Sequence, residues 1–183
     1  MHYTTDVGRV VVLGLGNVLV GDDAFGPWVV RTLEARYALD PATECVEGTP
    51  GNDLVPHLMG ADAVIVIDTV SSAGHPGDLK LYRRAGMFRR PPPPRVNPHE
   101  PGFQEALFTL DLLGLAPREL LLVGVVPASV RTGVGMTDAV TAAVDRAVEE
   151  VVLELDRLGC PPTPRPDAPA PDAWWESGLA AVG

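Results

Sequence analysis

The sequence predicts an α/β protein: a three-layer sandwich in which a mostly parallel, twisted sheet carries helices on both faces. Three apolar runs, at residues 10–13, 61–70 and 119–126, each suit a strand that is buried on both faces. Segments with helical apolar spacing lie between these runs, at residues 25–38 and 103–113. Strands that alternate with helices are typical of a parallel sheet that is covered on both sides.

The first strand leads into the stretch around which we expect the fold to be organised. Gly14 and Gly16 follow its apolar run, and the absence of a Cβ atom allows the backbone to turn tightly there. Asp22 and Asp23 come directly before a helical pattern, and we expect one of them to cap that helix. Open α/β folds bind ligands at the carboxyl ends of their strands, so the same acids are also candidates for a functional site.

The middle of the chain alternates between short elements and one long loop. Residues 43–47 are predicted to form a second strand, and a helix follows from about residue 52 to residue 59. Residues 79–82 are predicted as a shorter strand near an edge of the sheet. Residues 83–98 contain four consecutive prolines, which exclude a regular helix or a central strand. This stretch is therefore predicted as an exposed loop that delivers His99.

The last predicted helix closes the domain. Thr137 can cap it, and Gly159 ends it. Its core-facing stripe consists of Val140, Val144, Ala147, Val148, Val151 and Leu155. We therefore expect one domain over residues 1–159 and, because residues 160–183 are rich in proline, alanine and aspartate without periodicity, a flexible tail. Trp174 and Trp175 are unusual in such a tail and could either pack on the domain or form a short binding motif.

Charge and composition limit the partners and the compartment. The net charge is −10, from 24 acidic and 14 basic residues, so we expect no nucleic-acid partner. No apolar run approaches the length of a transmembrane helix, and no secretory signal is evident, so we expect no membrane partner. Two scattered cysteines are too few for a disulfide framework, which favours a reducing cytoplasm. A monomer is our default expectation.

Six of the 14 cations lie in one short segment of this acidic chain. They form either a docking surface or, as the simpler interpretation, a solvated loop. These residues are Lys80, Arg83, Arg84, Arg89, Arg90 and Arg95.

Acidic side chains follow several strands at the carboxyl edge of the predicted sheet. Asp22 and Asp23 follow the first strand, Glu47 ends the second and Asp68 ends the third. A buried carboxylate is costly unless something pairs with it, and a divalent cation would do so, with His99 as a nitrogen ligand. Two carboxylates and one imidazole leave coordination positions open for water or for a partner's ligands. Such mixed ligands suit nickel, zinc, iron or manganese and do not choose among them.

Each of these residues also has a simpler structural interpretation. Asp68 could accept hydrogen bonds from neighbouring backbone amides, and Glu47 could belong only to a turn. A histidine that follows Asn-Pro is more often a surface or packing residue than a metal ligand. The set of residues, rather than any single member, favours a functional site.

The motif GLGNVLVGDDAFGP, residues 14–27, resembles the N-terminal motif of the nickel–iron hydrogenase maturation endopeptidases. The resemblance continues in the expected order and spans about residues 9–158. That family has a helix–sheet–helix sandwich and removes a C-terminal extension from the precursor of the hydrogenase large subunit once nickel has been inserted. The later motifs are EGTPG at 47–51, VIDTV at 66–70, NPH at 97–99 and LLVGVVP at 121–127.

The resemblance implies an endopeptidase whose partner is a hydrogenase large-subunit precursor and whose metal, nickel, is supplied by that precursor. It assigns the three nickel contacts to Asp23, Asp68 and His99. Asp23 stands at a position that is glutamate in some relatives, and Ala24 stands where glycine is common. Nickel could polarise the scissile carbonyl or activate water, or it could serve as a docking signal while Asp23 or Asp68 acts as general base.

Three other functions are weighed against this one. A non-cleaving accessory factor could dock a hydrogenase subunit through the same surface. A peptidyl-tRNA hydrolase also has an N-terminal strand that runs into Gly-Leu-Gly-Asn, but it needs a basic surface for RNA. A nucleotide-binding module is opposed by Asp22 and Asp23, which would repel a pyrophosphate at the helix N-terminus, and by a third glycine that lies too far along.

Overall fold

The computed structural model describes residues 8–48, 54–85 and 103–177. Within these residues, five strands form one sheet in the order β3-β1-β4-β6-β5, and β2 and β7 form a two-stranded sheet. The strands are β1 (Val10–Leu15), β2 (Tyr37–Ala38), β3 (Thr43–Gly48), β4 (Ala63–Thr69), β5 (Leu79–Arg83), β6 (Glu119–Val125) and β7 (Thr163–Pro164).

Helices cover both faces of the five-stranded sheet. They are α1 (Phe25–Arg36), α2 (Leu54–Leu58), α3 (Phe103–Leu112), α4 (Asp138–Thr141), α5 (Val144–Arg157) and α6 (Trp174–Ser177). Ile65 and Ile67 of β4 belong to the core that α1, α4 and α5 cover, whereas Val64 and Val66 belong to the core under α2 and α3. This alternation buries β4 on both faces and confirms the predicted three-layer sandwich.

The sheet is parallel except at one edge. β1 pairs in parallel with β3 and β4, and β4 pairs in parallel with β6. β5 pairs antiparallel with β6, with Leu79 opposite Val125, and it lies at an edge of the sheet, as predicted for this shorter strand. The predicted strands and long helices agree with the observed ones to within about two residues at most ends.

The order of the strands creates a crevice beside β1. From β1 the chain passes through α1 to β3 on one side, and it then crosses to β4 on the other side of β1. The connections therefore diverge between β1 and β4, and their carboxyl ends form a topological switch point. Open α/β sheets bind ligands at such a point.

The turn after β1 differs from the prediction in two respects. Gly14 lies inside β1 rather than in a turn. A Cβ atom at this position would lie 2.5 Å from the Gly26 carbonyl oxygen of α1, so the close approach of the helix requires glycine. Neither Asp22 nor Asp23 caps α1, because both belong to a 3₁₀ turn, Gly21–Ala24, and the N-cap position falls on Ala24. Asp22 instead binds Thr137, far along the chain, and Asp23 binds both the nearby Asn17 and the distant Thr69.

The predicted last helix is two helices. α4 ends before Ala142, and α5 begins after Ala143. Thr137 occupies the N-cap position of α4, but its side chain makes no capping hydrogen bond because it binds Asp22 instead. The cap predicted at Asn52 or Asp53 and the four prolines at 91–94 lie outside the described residues.

The described part of the tail, residues 160–177, contacts the domain. Cys160 is buried, and β7 pairs antiparallel with β2 at the end of α1. Trp175 is buried, with its ring edge-on to that of Trp28 at a centroid distance of 5.8 Å. Trp175 therefore packs on the domain, one of the two alternatives for this residue. The boundary at residue 159 and the flexibility of the tail stay predictions.

Candidate functional site

Asp23 lies at the carboxyl end of β1, nearly buried at 8% exposure. Its Oδ2 atom accepts a hydrogen bond from the Asn17 backbone N–H at 2.8 Å, within the loop that links β1 to α1. Its Oδ1 atom accepts a hydrogen bond from the Thr69 hydroxyl at 3.1 Å, from the end of β4. The carboxylate is thus held from two directions at the switch point.

Glycines allow this loop to close over the ends of the strands. Gly16 has a φ of +142°, and an added Cβ would lie 1.8 Å from the Asp23 carbonyl oxygen. At Gly26, a Cβ would lie 2.2 Å from the Leu15 carbonyl oxygen and 2.6 Å from that of Ile67. The first turn of α1 can therefore rest on β1 and β4, which brings Asp23 beside β4.

Asp68 is the second carboxylate at this edge and is the penultimate residue of β4. Its side chain is buried, and its Oδ1 atom accepts a hydrogen bond from the Thr69 backbone N–H at 2.7 Å. The structural interpretation of Asp68 is therefore correct as far as this neighbouring amide is concerned. It does not exclude a functional role, since a carboxylate oxygen has more than one lone pair.

Asp22 binds partners other than those of this pair and has a structural role. It is fully buried, and its two oxygen atoms accept hydrogen bonds from the backbone N–H groups of Ala128, Ser129 and Thr137 at 2.7–2.8 Å. The Thr137 hydroxyl adds a further bond at 2.9 Å. These bonds fasten the loop between β6 and α4 against the start of α1, and they account for the burial of a charged group.

Glu47, at the end of β3, is part of an ion pair with α1. The Arg31 guanidinium donates from Nε to both Glu47 carboxylate oxygens, at 2.8 and 2.9 Å, and this contact raises the pKa of Arg31. The charge of Glu47 is thus compensated within the chain. The structure joins Asp23 to Asp68 through Thr69, and it joins Glu47 to a different partner.

His99, the nitrogen ligand implied by the resemblance, lies outside the described residues, as do Asn97 and Pro98. Among the residues that are described, no three histidine, cysteine, aspartate or glutamate side chains form a group suited to hold a metal ion. The set of Asp23, Asp68 and His99 therefore stays a prediction. In the described part, the nearly buried carboxylates of Asp23 and Asp68 supply oxygen ligands of the kind that bind divalent cations, while backbone and hydroxyl donors compensate for their burial.

The described part of the basic segment is neutralised within the domain. Arg83 pairs with the buried Glu154 at 2.9 Å, and Arg84 pairs with Asp111 at 3.1 Å. Lys80 lies 3.8 Å from the carboxylate of Asp78. These three cations are therefore engaged with acids of the same chain. Arg89, Arg90 and Arg95 lie outside the described residues, so the two interpretations of the whole segment stay open.

Cys45 on β3 is not suited to act as a nucleophile. Burial, followed by the charges of neighbouring glutamates, raises the pKa of its thiol to about 12. At neutral pH the group is protonated, whereas a thiolate is the reactive form.

Thr69 and Asn17 are the site residues that reasoning from the sequence did not single out. Thr69 stands inside the VIDTV motif, directly after Asp68, but its contact with Asp23 spans 46 positions of the chain. A hydroxyl that follows an acid at the end of a buried strand is the signal that could have found it. Asn17 contributes through its backbone, which leaves no signal in residue type.

Comparison with known proteins decides the family. A sequence model of the HycI hydrogenase maturation protease family matches residues 27–154, a range that includes Asp68. The hydrogenase 2 maturation protease of Escherichia coli (strain K12) is 34% identical over 162 residues, which cover 86% of this chain and 96% of that protein.

The chain belongs to the hydrogenase maturation protease family.

Solved structures agree with this assignment. The hydrogenase maturating endopeptidase HybD from E. coli superposes with a TM-score of 0.78 at 34% identity, over 86% of this chain and 98% of that one. The hydrogenase 2 maturation peptidase from Thaumarchaeota archaeon SCGC_AB-539-E09 superposes with a TM-score of 0.63 at 30% identity, over 81% and 99% of the two chains. As a hydrogenase maturation protease, the chain is an enzyme that hydrolyses peptide bonds. No helix in the described residues is long and apolar enough to cross a membrane.

Proposed function

We propose that this hydrogenase maturation protease removes the C-terminal extension of a nickel-loaded hydrogenase large-subunit precursor and that nickel is the recognition element. The observation that carries the proposal is the arrangement of Asp23 and Asp68, two nearly buried carboxylates joined through Thr69 at the switch point of the sheet. Family membership gives the class of reaction. The carboxylate pair indicates how the protease would bind a metal that the substrate carries.

In this proposal nickel arrives bound to the precursor. Asp23, Asp68 and His99 then complete its coordination shell, which places the scissile bond beside the carboxyl ends of β1 and β4. Carboxylate and imidazole ligands suit nickel, and the position of Asp23 and Asp68 at the ends of two neighbouring strands would fix the orientation of the substrate. A precursor without nickel lacks this anchor, so maturation is coupled to metal insertion.

Peptide hydrolysis then follows one of two routes at this site. In the first, nickel held by the precursor together with Asp23, Asp68 and His99 would polarise the scissile carbonyl or activate the attacking water. In the second, nickel only docks the precursor, and Asp23 or Asp68 accepts a proton from the water as it attacks the carbonyl carbon. In both routes the C–N bond breaks, and the departing amine receives a proton.

The test is cleavage of the purified precursor with and without nickel. We expect wild-type protease to cleave the nickel-loaded precursor and to leave the nickel-free form intact. His99→Ala and Asp68→Asn should lose cleavage, whereas His75→Ala, at an exposed histidine, should cleave as wild type does. Equal cleavage of nickel-free precursor would refute recognition through nickel, and equal cleavage by His99→Ala would refute the ligand set.

Cleavage and binding measurements together separate the alternatives. Stable binding of the precursor without cleavage, whether or not the precursor contains nickel, would favour an accessory factor. Tight, salt-sensitive binding of tRNA would favour a hydrolase that acts on peptidyl-tRNA. We further propose that the protein acts in the cytoplasm as a monomer. Sedimentation of the purified protein and fractionation of cells test these two statements directly.

A further inference from the structure

We propose that Thr69 is a positioning residue that fixes the Asp23 and Asp68 carboxylates relative to one another. This inference rests on the proposed function, because it assigns a role to a residue that holds the two predicted nickel ligands. Thr69 is the last residue of β4 and is 1% exposed. A buried hydroxyl at that place requires a hydrogen-bond partner, and the structure shows which partner it has.

Thr69 makes one hydrogen bond to each carboxylate. Its hydroxyl donates to Asp23 Oδ1 at 3.1 Å, and its backbone N–H donates to Asp68 Oδ1 at 2.7 Å. A single residue therefore donates to acids that stand 45 positions apart in the chain. Because hydrogen bonds to charged acceptors are stronger than those to neutral ones, both bonds restrict the orientation of the carboxylates.

Strand geometry explains how one residue reaches both acids. Successive side chains of a strand point to opposite faces of the sheet. Ile65 and Ile67 belong to the core under α1, and Thr69 continues that series along β4. The Thr69 hydroxyl thus points to the side of the sheet that α1 covers, where Asp23 lies in the turn before that helix. Asp68 is the preceding residue of the same strand, so the Thr69 backbone N–H reaches its carboxylate directly.

The contact from Thr69 differs from the other donor to Asp23. Asn17 binds Oδ2 through its backbone and ties Asp23 to its own loop. The Thr69 hydroxyl ties Asp23 to the strand that carries Asp68, and a substitution can remove it. Loss of this hydroxyl would leave the Thr69 N–H bond to Asp68 in place and would change the relation between the two acids.

The experiment compares Thr69→Val, which replaces the hydroxyl with a methyl group of similar shape, with Thr69→Ser, which keeps the hydroxyl. The matched control is Thr32→Val, because Thr32 is also buried and donates its hydroxyl to the Trp28 carbonyl oxygen at 2.7 Å. Calorimetric titration with Ni²⁺ alone and kcat and KM for cleavage of the nickel-loaded precursor are the two readouts. Both are measured at a temperature at which circular dichroism shows every variant to be folded.

We expect Thr69→Val to weaken Ni²⁺ binding about tenfold and to lower kcat/KM by a similar factor, since a loosened ligand must be ordered again on binding. Thr69→Ser and Thr32→Val should remain within about twofold of wild type for both quantities. If Thr69→Val does not fold, Thr69→Ala compared with Thr69→Ser makes the same comparison.

Three outcomes would overturn the inference. Wild-type values for Thr69→Val would show that the hydroxyl does not position Asp23. Equal losses in Thr69→Ser and Thr69→Val would show that packing, rather than the hydroxyl, matters. Failure of wild-type protein to bind Ni²⁺ at millimolar concentration would remove the site itself. Asp68→Asn distinguishes failure of the Thr69 role from failure of the proposed function. If Asp68→Asn loses cleavage while Thr69→Val does not, the Thr69 role fails and the proposed function stands. If Asp68→Asn cleaves normally, the proposed function fails.

Discussion

Asp22 supports the site without belonging to it, and its replacement by asparagine tests this role. The Asp22 Oδ2 atom accepts from the N–H groups of Ala128 and Ser129, and Oδ1 accepts from the N–H and hydroxyl of Thr137. Asparagine has nearly the same shape but offers one acceptor oxygen and one NH₂ group. Whichever way the amide turns, at least one of these donors then faces another donor.

The magnitude follows from the number of bonds lost. A buried donor without an acceptor destabilises the folded state by about 1–3 kcal/mol. One or two of the donors to Asp22 lose their acceptor oxygen in Asp22→Asn, so the free energy of unfolding should fall by about 3 kcal/mol. If the free energy of unfolding falls by about 2 kcal/mol per M of urea, the urea concentration at the midpoint of unfolding should decrease by about 1.5 M. Amide hydrogen exchange at Ser129 and Thr137 should become faster, because the loop they belong to loses its anchor.

Asp62→Asn is the matched control for Asp22→Asn. The Asp62 Oδ2 atom also accepts from two backbone N–H groups, those of Gly8 and Arg9, but these bonds lie near the surface. One oxygen serves both, so an asparagine can turn its own oxygen towards them, and water can replace what is lost. We expect a change below about 1 kcal/mol. Equal effects of Asp22→Asn and Asp62→Asn would refute the reasoning that burial makes the Asp22 bonds important.

Three further predictions concern the rest of the domain. Burial alone would raise the pKa of Glu154, but hydrogen bonds from Arg157 and Arg83 lower it from 4.5 to about 2. The charged carboxylate therefore stabilises the fold above pH 4.5, and this contribution is lost as the pH falls towards 2. The difference in unfolding free energy between wild type and Glu154→Gln should shrink over that range. Trp175→Ala should lower the free energy of unfolding by about 3 kcal/mol in urea titration, because it removes the buried ring that packs against α1. Cys45 should react with iodoacetamide at pH 8 much more slowly in the folded protein than in urea, because burial raises the pKa of its thiol to about 12.

Each of these predictions has a result that contradicts it. A constant difference between wild type and Glu154→Gln from pH 6 down to pH 3 would show that the carboxylate is not held in its charged form. Unchanged stability of Trp175→Ala would show that the tail does not contribute to the fold in solution. Equal alkylation rates of Cys45 in folded and unfolded protein would show that the thiol is accessible and reactive.

Much of the fold follows from short-range patterns in the sequence. The apolar runs of β1, β4 and β6 identify strands buried on both faces, since a strand exposed on one side would alternate with polar residues. The edge position of β5 follows from its weaker pattern. These features depend on residues a few positions apart, so a single sequence is enough to establish them.

The partners of the acidic side chains could not be predicted in the same way. Local pattern favoured Asp22 or Asp23 as a helix cap and Thr137 as another, yet Asp22 binds Thr137 over 115 positions of the chain. The long-range contact prevails because Asp22 is fully buried and must find several donors at once, which three backbone amides from another loop supply. Similarly, Trp175 lies in a segment without periodicity, and its packing against Trp28 of α1 could not be predicted from that segment.

The sequence by itself determined which residues could carry chemistry: Asp23 after the first strand, Asp68 at the end of another, and His99 through its motif. The tertiary structure decided which of the described residues meet, and it joined Asp23 to Asp68 through Thr69 while it paired Glu47 with Arg31. The physical reason is that residue type and spacing fix local conformation. Contacts between distant segments depend instead on strand order and register, which only the folded chain establishes.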